Sequence, residues 1–80
     1  MQIRVKVFAT LRRYLPAEQA RAPFDLEIAD GATVSDLVAE LGLPAEAVRV
    51  AFVNGITQGT DYVLRTGDDV GLFPPIAGGA

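Results

Sequence analysis

The 80 residues leave room for one domain, and a domain of that length buries only about 60% of the surface its unfolded chain exposes, so the core must be efficient. Half of the residues are hydrophobic and 21% are charged, a balance that permits a packed core and argues against disorder. A net charge of -3, seven scattered basic residues and the absence of Cys and His argue against a nucleic-acid-binding patch, thiolate chemistry and a side chain that titrates near neutrality.

Ile3, Val5 and Val7 alternate with Gln2, Arg4 and Lys6, the period-2 pattern of a strand with one face in the core. Thr10 to Ala22 mix Leu11, Tyr14 and Leu15 with three arginines and Pro16, without a clean period. That stretch reads as a loop with one helical turn. Phe24, Leu26 and Ile28 then alternate against Asp25 and Glu27, closed by the turn pair Asp30-Gly31, and a hairpin with the first strand is expected.

The best helix signal runs from Thr33 to Leu41. Thr33 and Asp36 form a capping-box-like start, and Val34, Leu37, Val38 and Leu41 repeat at helical spacing. Gly42 suits a left-handed cap, and Pro44 cannot continue the helix. A third strand is expected at Val48 to Val53, with Val48, Val50 and Phe52 on one face, before the tight turn Asn54-Gly55. From Ile56 to Arg65 only Tyr62-Val63-Leu64 gives an apolar signal. Thr66-Gly67-Asp68-Asp69 is turn chemistry, and a last strand, Val70 to Phe73, stops at Pro74. Asp68-Asp69 is the one close carboxylate pair, and reads as a solvated turn in preference to a metal site.

A hairpin, one capped helix and further strands in this order predict an α+β domain of β-grasp, ubiquitin-like fold. In it a mixed sheet of four or five strands packs on one main helix. No apolar run approaches the roughly 20 residues needed to cross a bilayer. Met1-Gln2-Ile3-Arg4 alternates charge with apolarity in place of a signal core, so a cytoplasmic protein is expected, with protein partners and neither nucleic acid nor membrane.

Residues 1–75 thus read as the domain and 76–80 as a flexible C-terminal tail. Pro74 and Pro75 end the sheet and stiffen the exit. Gly78 and Gly79 have no Cβ, so they pass through a slot that rejects larger residues. Ser35, Thr33, Tyr14 and Tyr62 have no neighbouring base in sequence, and no phosphate-binding glycine loop is present. A side-chain active site is therefore the least favoured reading.

Phe73-Pro74-Pro75-Ile76-Ala77-Gly78-Gly79 resembles the MoaD/ThiS family of ubiquitin-like sulfur carriers, in particular the small subunits of molybdopterin synthase. The likeness extends to Ile3-Arg4-Val5-Lys6-Val7-Phe8-Ala9, Leu11-Arg12, Thr33-Val34, Val53-Asn54-Gly55 and Gly67-Asp68-Asp69-Val70. It implies that an ATP-dependent adenylating enzyme of MoeB/ThiF type activates the carboxylate of Gly79, which a sulfur donor converts into a thiocarboxylate. The tail residues Pro74, Pro75, Ile76, Ala77 and Gly78 would thread into a MoaE-type large subunit of molybdopterin synthase. Sulfur would pass there to the precursor of the molybdenum or tungsten cofactor.

The protein itself would bind no cofactor, the ATP being used by the activating enzyme. It would act as a non-catalytic subunit. Ala80 follows the glycine that carries the chemistry in the resembled family, so a processing peptidase is expected to remove it. By the same resemblance Phe8, Arg12 and Phe73 correspond to a partner-facing surface; read from the residues alone, Phe8 and Phe73 fit a core equally well. Alternatives to the molybdopterin role are conjugation to lysines as a protein modifier, sulfur delivery for thiamine or cysteine, and a plain interaction domain.

Overall fold

The computed structural model of the chain describes residues 1–48 and 50–75. Among them the chain forms β1 (Gln2–Val7), α1 (Ala17–Arg21), β2 (Phe24–Glu27), α2 (Val34–Glu40), β3 (Val50–Val53), β4 (Ile56–Gln58) and β5 (Asp69–Phe73), with short 3-10 turns at Ala9–Tyr14 and Ala45–Ala47. The strands make one sheet in the order β2-β1-β5-β3-β4. The β1/β2 hairpin is antiparallel, β5 lies parallel to β1, and β3 runs antiparallel to both β5 and β4. This is the α+β, ubiquitin-like architecture that the order of elements predicts.

The alternation of β1 sends Ile3, Val5 and Val7 into the core. There they join Val70 and Leu72 of β5, Ala51 and Val53 of β3, and Val34, Leu37 and Val38 of α2. Burying such side chains supplies roughly 1.5–3 kcal/mol each, and α2 is the element that covers this side of the sheet. Its start is fixed twice. Thr33 Oγ1 accepts from the Asp36 amide at 3.2 Å while Asp36 Oδ2 accepts from the Thr33 amide at 2.9 Å, and the Val34 and Ser35 amides donate to the carbonyls of Tyr62 and Thr60 at 3.0 and 2.8 Å. All four are amides that an α-helix start leaves without intrahelical partners. Gly42 adopts the expected left-handed φ of +75° just beyond the helix.

Three local expectations change. Thr10 to Ala22 is a 3-10 turn followed by the short helix α1, with Leu11 buried and the arginines outside. Val48 is buried at the end of the second 3-10 turn and not in the strand; the inward residues of β3 are Ala51 and Val53, so Val50 and Phe52 fall on the opposite side. Ile56–Gln58 forms the edge strand β4, and the Tyr62-Val63-Leu64 segment instead braces α2, with a bridge between Val63 and Thr33.

Asp68 is 6% exposed and not a solvated turn residue. Its Oδ1 accepts from Asn54 Nδ2 at 2.9 Å and its Oδ2 from the Arg65 amide at 2.8 Å. The Asn54 side-chain oxygen accepts in turn from the Asp69 amide at 2.9 Å. Asn54 and Gly55 have φ of +53° and +83°, as a tight hairpin turn requires. The side chain of Asn54 thus ties the β3/β4 turn to the start of β5, and both carboxylate oxygens of Asp68 are engaged within the fold.

Candidate functional site

The sheet has a second face, the one not covered by α2. Because side chains alternate along a strand, the inward set of β1 leaves Lys6 and then Phe8 on this open face. The inward set of β5 leaves Gly71 and Phe73 there, and that of β3 leaves Phe52. The register makes them neighbours: Lys6 pairs with Gly71 across β1/β5, and Gly71 with Phe52 across β5/β3.

Three rings meet over Gly71. Phe8 and Phe73 stack with centroids 4.1 Å apart and planes within 6°, and Phe52 meets Phe73 edge to face at 5.1 Å and 61°. Both arrangements fall in the preferred aromatic geometries. Lys6 Nζ stands 5.3 Å from the Phe8 centroid, within cation-π range. Lys6, Phe8, Pro23, Phe52, Gly71 and Phe73 line a shallow groove on this face. Phe8 is held in place from both sides. Its amide continues the ladder to the Leu72 carbonyl at 3.1 Å, and the next residue, Ala9, turns the chain with φ of +54°. That conformation costs an L-residue roughly 1–2 kcal/mol.

Of the expected site residues, Phe8 and Phe73 are brought into direct contact and are half-buried. They belong to the open face and not to the core. Arg12 is exposed in the first 3-10 turn, outside the groove. Pro74 is half-buried and Pro75 exposed immediately beyond β5. Ile76, Ala77, Gly78, Gly79 and Ala80 lie outside the described residues. Phe52 is a functional candidate that the sequence reading assigned to the same face as buried Val48; it is 39% exposed. What could have exposed it is the Asn54-Gly55 turn together with the alternation of β5, which fixes the pairing Val53 with Val70 and leaves Phe52 outward.

Among the described residues no side-chain hydroxyl is hydrogen-bonded to a base, and the one bonded hydroxyl, that of Thr33, caps α2. The open face is suited to burying apolar surface against another molecule, beside the point where the chain leaves the sheet.

A mixed sheet covered on one side by a single main helix, with an apolar open face at the exit of its last strand, defines a small ubiquitin-like protein of the β-grasp class. Within that class the chain belongs to the Mut7-C ubiquitin family, whose model matches residues 1–78. It is similar to the protein described as molybdopterin converting factor subunit 1 of Pyrococcus furiosus, at 30% identity and a TM-score of 0.68, over 95% of this chain and 99% of that one. It is also similar to SAMP1, small archaeal modifier protein 1, of Haloferax volcanii, at 25% identity and a TM-score of 0.67, over 98% and 99% of the two chains. The fold recurs in the molybdopterin-converting factor of Helicobacter pylori, solved as a complex of subunits 1 and 2, at 19% identity and a TM-score of 0.58, over 98% and 99%. No curated protein matches the sequence. The family resemblance read from the sequence therefore holds, and the chain shares the MoaD-like fold of sulfur carriers and modifiers. Among the described residues no helix is long and apolar enough to cross a membrane.

Proposed function

We propose that the chain is a sulfur carrier whose Gly79 carboxylate is adenylated by an ATP-dependent MoeB/ThiF-type enzyme and converted to a thiocarboxylate, for transfer in molybdopterin biosynthesis. The observation that carries this reading is the exit of β5. The chain leaves the sheet at Phe73, within the three-ring face, and runs directly into Pro74-Pro75. A partner gripping that face is thereby set beside the tail, and the four residues from Ile76 to Gly79 have a reach of at most roughly 13 Å at about 3.3 Å per residue of fully extended chain. The domain stays outside the partner while its end reaches a buried reaction centre. The likeness to the Pyrococcus furiosus protein supports the molybdopterin branch. The Helicobacter pylori complex makes a MoaE-type large subunit the partner to test first.

Phe8, Phe52 and Phe73 are assigned to docking in this reading, with Arg12 at the margin, and Gly79 to the chemistry once a peptidase has removed Ala80. The test is an intact mass after incubation with ATP, a sulfur source and the activating enzyme of the same organism, for chains ending at Ala80 and at Gly79. The Gly79 form should gain the mass difference of one oxygen exchanged for sulfur and the Ala80 form should not. No change in either form would refute the carrier function.

The likeness to small archaeal modifier protein 1 favours a second reading, in which activated Gly79 is joined to lysines of other proteins. Gly79-linked lysine remnants on cellular proteins would identify it, and their absence from cells making active protein would refute it.

A further inference from the structure

The tail chemistry makes an acyl electrophile, and primary amines are the nucleophiles that compete with sulfur for it. The sequence offers a single lysine, Lys6, and the fold sets it in the docking face itself: directly opposite Gly71, over the Phe8 ring, in the groove that Phe52 and Phe73 line. The amino group of Met1 is occupied elsewhere. It donates to the Ile28 carbonyl at 2.7 Å and faces Asp30 at 3.2 Å and Glu27 at 3.5 Å. The Asp30 contact, outweighing desolvation, holds its pKa above the usual value.

We infer that Lys6 is an acyl acceptor for the activated tail of a second copy, and that its acylation closes the docking face of the copy that receives it. The inference rests on the proposed activation of Gly79. In the step, the unprotonated Nζ of Lys6 attacks the carbonyl carbon of the donor's Gly79 adenylate. A C–N bond forms, the bond from that carbon to the phosphate oxygen breaks, AMP leaves with the electron pair, and one proton is released. ATP is the co-reactant, as in the proposed activation.

The donor tail suits the surface that it would cross. From Lys6, level with Gly71, to Phe73 is two residues of strand, about 7 Å. From Gly79 back to Ile76 is about 10 Å of extended chain. A donor linked at Lys6 therefore has enough chain to reach the Phe73 ring, and its sequence there, Pro75-Ile76-Ala77, is apolar like the rings. A docked copy has Lys6 covered by its partner, so only undocked copies accept. Docking and conjugation exclude one another on the same face.

The experiment incubates Gly79-ended protein with ATP and the activating enzyme, in one arm with a sulfur donor and in the other without. The first arm reads thiocarboxylate by intact mass. The second should give a covalent dimer of two chains less one water, with Gly79 mapped to Lys6 by peptide sequencing. The purified conjugate should bind the activating enzyme through its acceptor unit about tenfold or more weakly. Thiocarboxylate without a conjugate, a conjugate joined at Met1, or a Lys6 conjugate whose acceptor unit docks unchanged overturns this inference and leaves the carrier reading standing. Failure of both arms overturns both.

Discussion

Gly71→Ala should separate docking from stability. Gly71 lies inside β5, paired on both sides, and its φ is not in the left-handed region, so an alanine meets no backbone strain. Reducing the freedom of the unfolded chain at such a site stabilises by about 0.4–1 kcal/mol. The added Cβ would stand 3.2 Å from Phe8 Cε1, 3.5 Å from Phe73 Cε1 and 3.9 Å from Phe52 Cβ. The first distance is too short, and the Phe8 ring must move by a few tenths of an ångström.

Phe8 sits on the uncovered face, so the movement costs little; an imperfect stack gives back up to about 1 kcal/mol. The net change in stability should lie within about 1 kcal/mol of zero. Docking depends on the position of the rings. A misplaced central aromatic anchor costs about 1.4 kcal/mol or more, which is tenfold in Kd. A urea melt and calorimetric titration with the activating enzyme read the two quantities. A loss of stability beyond 2 kcal/mol, or unchanged docking, would refute the assignment of Gly71 as the floor of a docking platform.

Other substitutions probe the remaining parts. Leu37→Asp places an unpaired charge at a position that is 0% exposed and should cost about 3 kcal/mol or more; an unchanged urea midpoint would contradict the packing of α2 on the sheet. Asp68→Ala leaves Asn54 Nδ2 and the Arg65 amide without their acceptor, a loss of about 1–3 kcal/mol per group, and a melting temperature within about 2 °C of the parent would show that the network is dispensable. Thr33→Ala removes one half of the capping box and should lower stability by about 1 kcal/mol, measurable in the same melts. Phe73→Ala deletes both the stack on Phe8 and the edge contact from Phe52. It should weaken docking about tenfold or more, whereas Arg12→Ala, exposed and outside the groove, should change it much less.

What the sequence made legible follows from how many independent signals agreed. At α2 the capping pair, the helical spacing and Gly42 all point to one helix, and its ends fall within a residue of the expected ones. At β1 the polar residues between Ile3, Val5 and Val7 declare which face is wet. β3 carries no such marker: Val50-Ala51-Phe52-Val53 is apolar at every position, so periodicity cannot say which pair turns inward. The expected face of Val48, Val50 and Phe52 does not form, and the fold turns Ala51 and Val53 inward. The reason lies in β5, where Gly71 leaves the outward side open to three rings while Val70 and Leu72 fill the inward one. β4 was silent because an edge strand of three residues, with Ile56 exposed, alternates too briefly to register. The aromatic face was half legible, since the family resemblance points to Phe8 and Phe73 while only the fold brings their rings together.

The division of labour between the two faces explains why an 80-residue chain can present three aromatic rings to solvent at all. Small domains have little stability to spare, and exposing Phe8, Phe52 and Phe73 gives up burial that a core would use. The parallel pairing of β1 with β5 limits that loss, because the rings cover one another over a glycine and do not stand apart. The same pairing aligns the end of β1 with the end of β5. Phe8 and its lysine neighbour are thereby brought to the place where the chain departs toward Gly79. A docking partner that reads the rings is positioned at the tail without a second recognition element. On this argument, moving the Pro74 exit away from the rings by inserting two residues after Phe73 should leave docking intact and abolish acyl transfer. If transfer persisted at its original rate, the tail would be acting independently of the face.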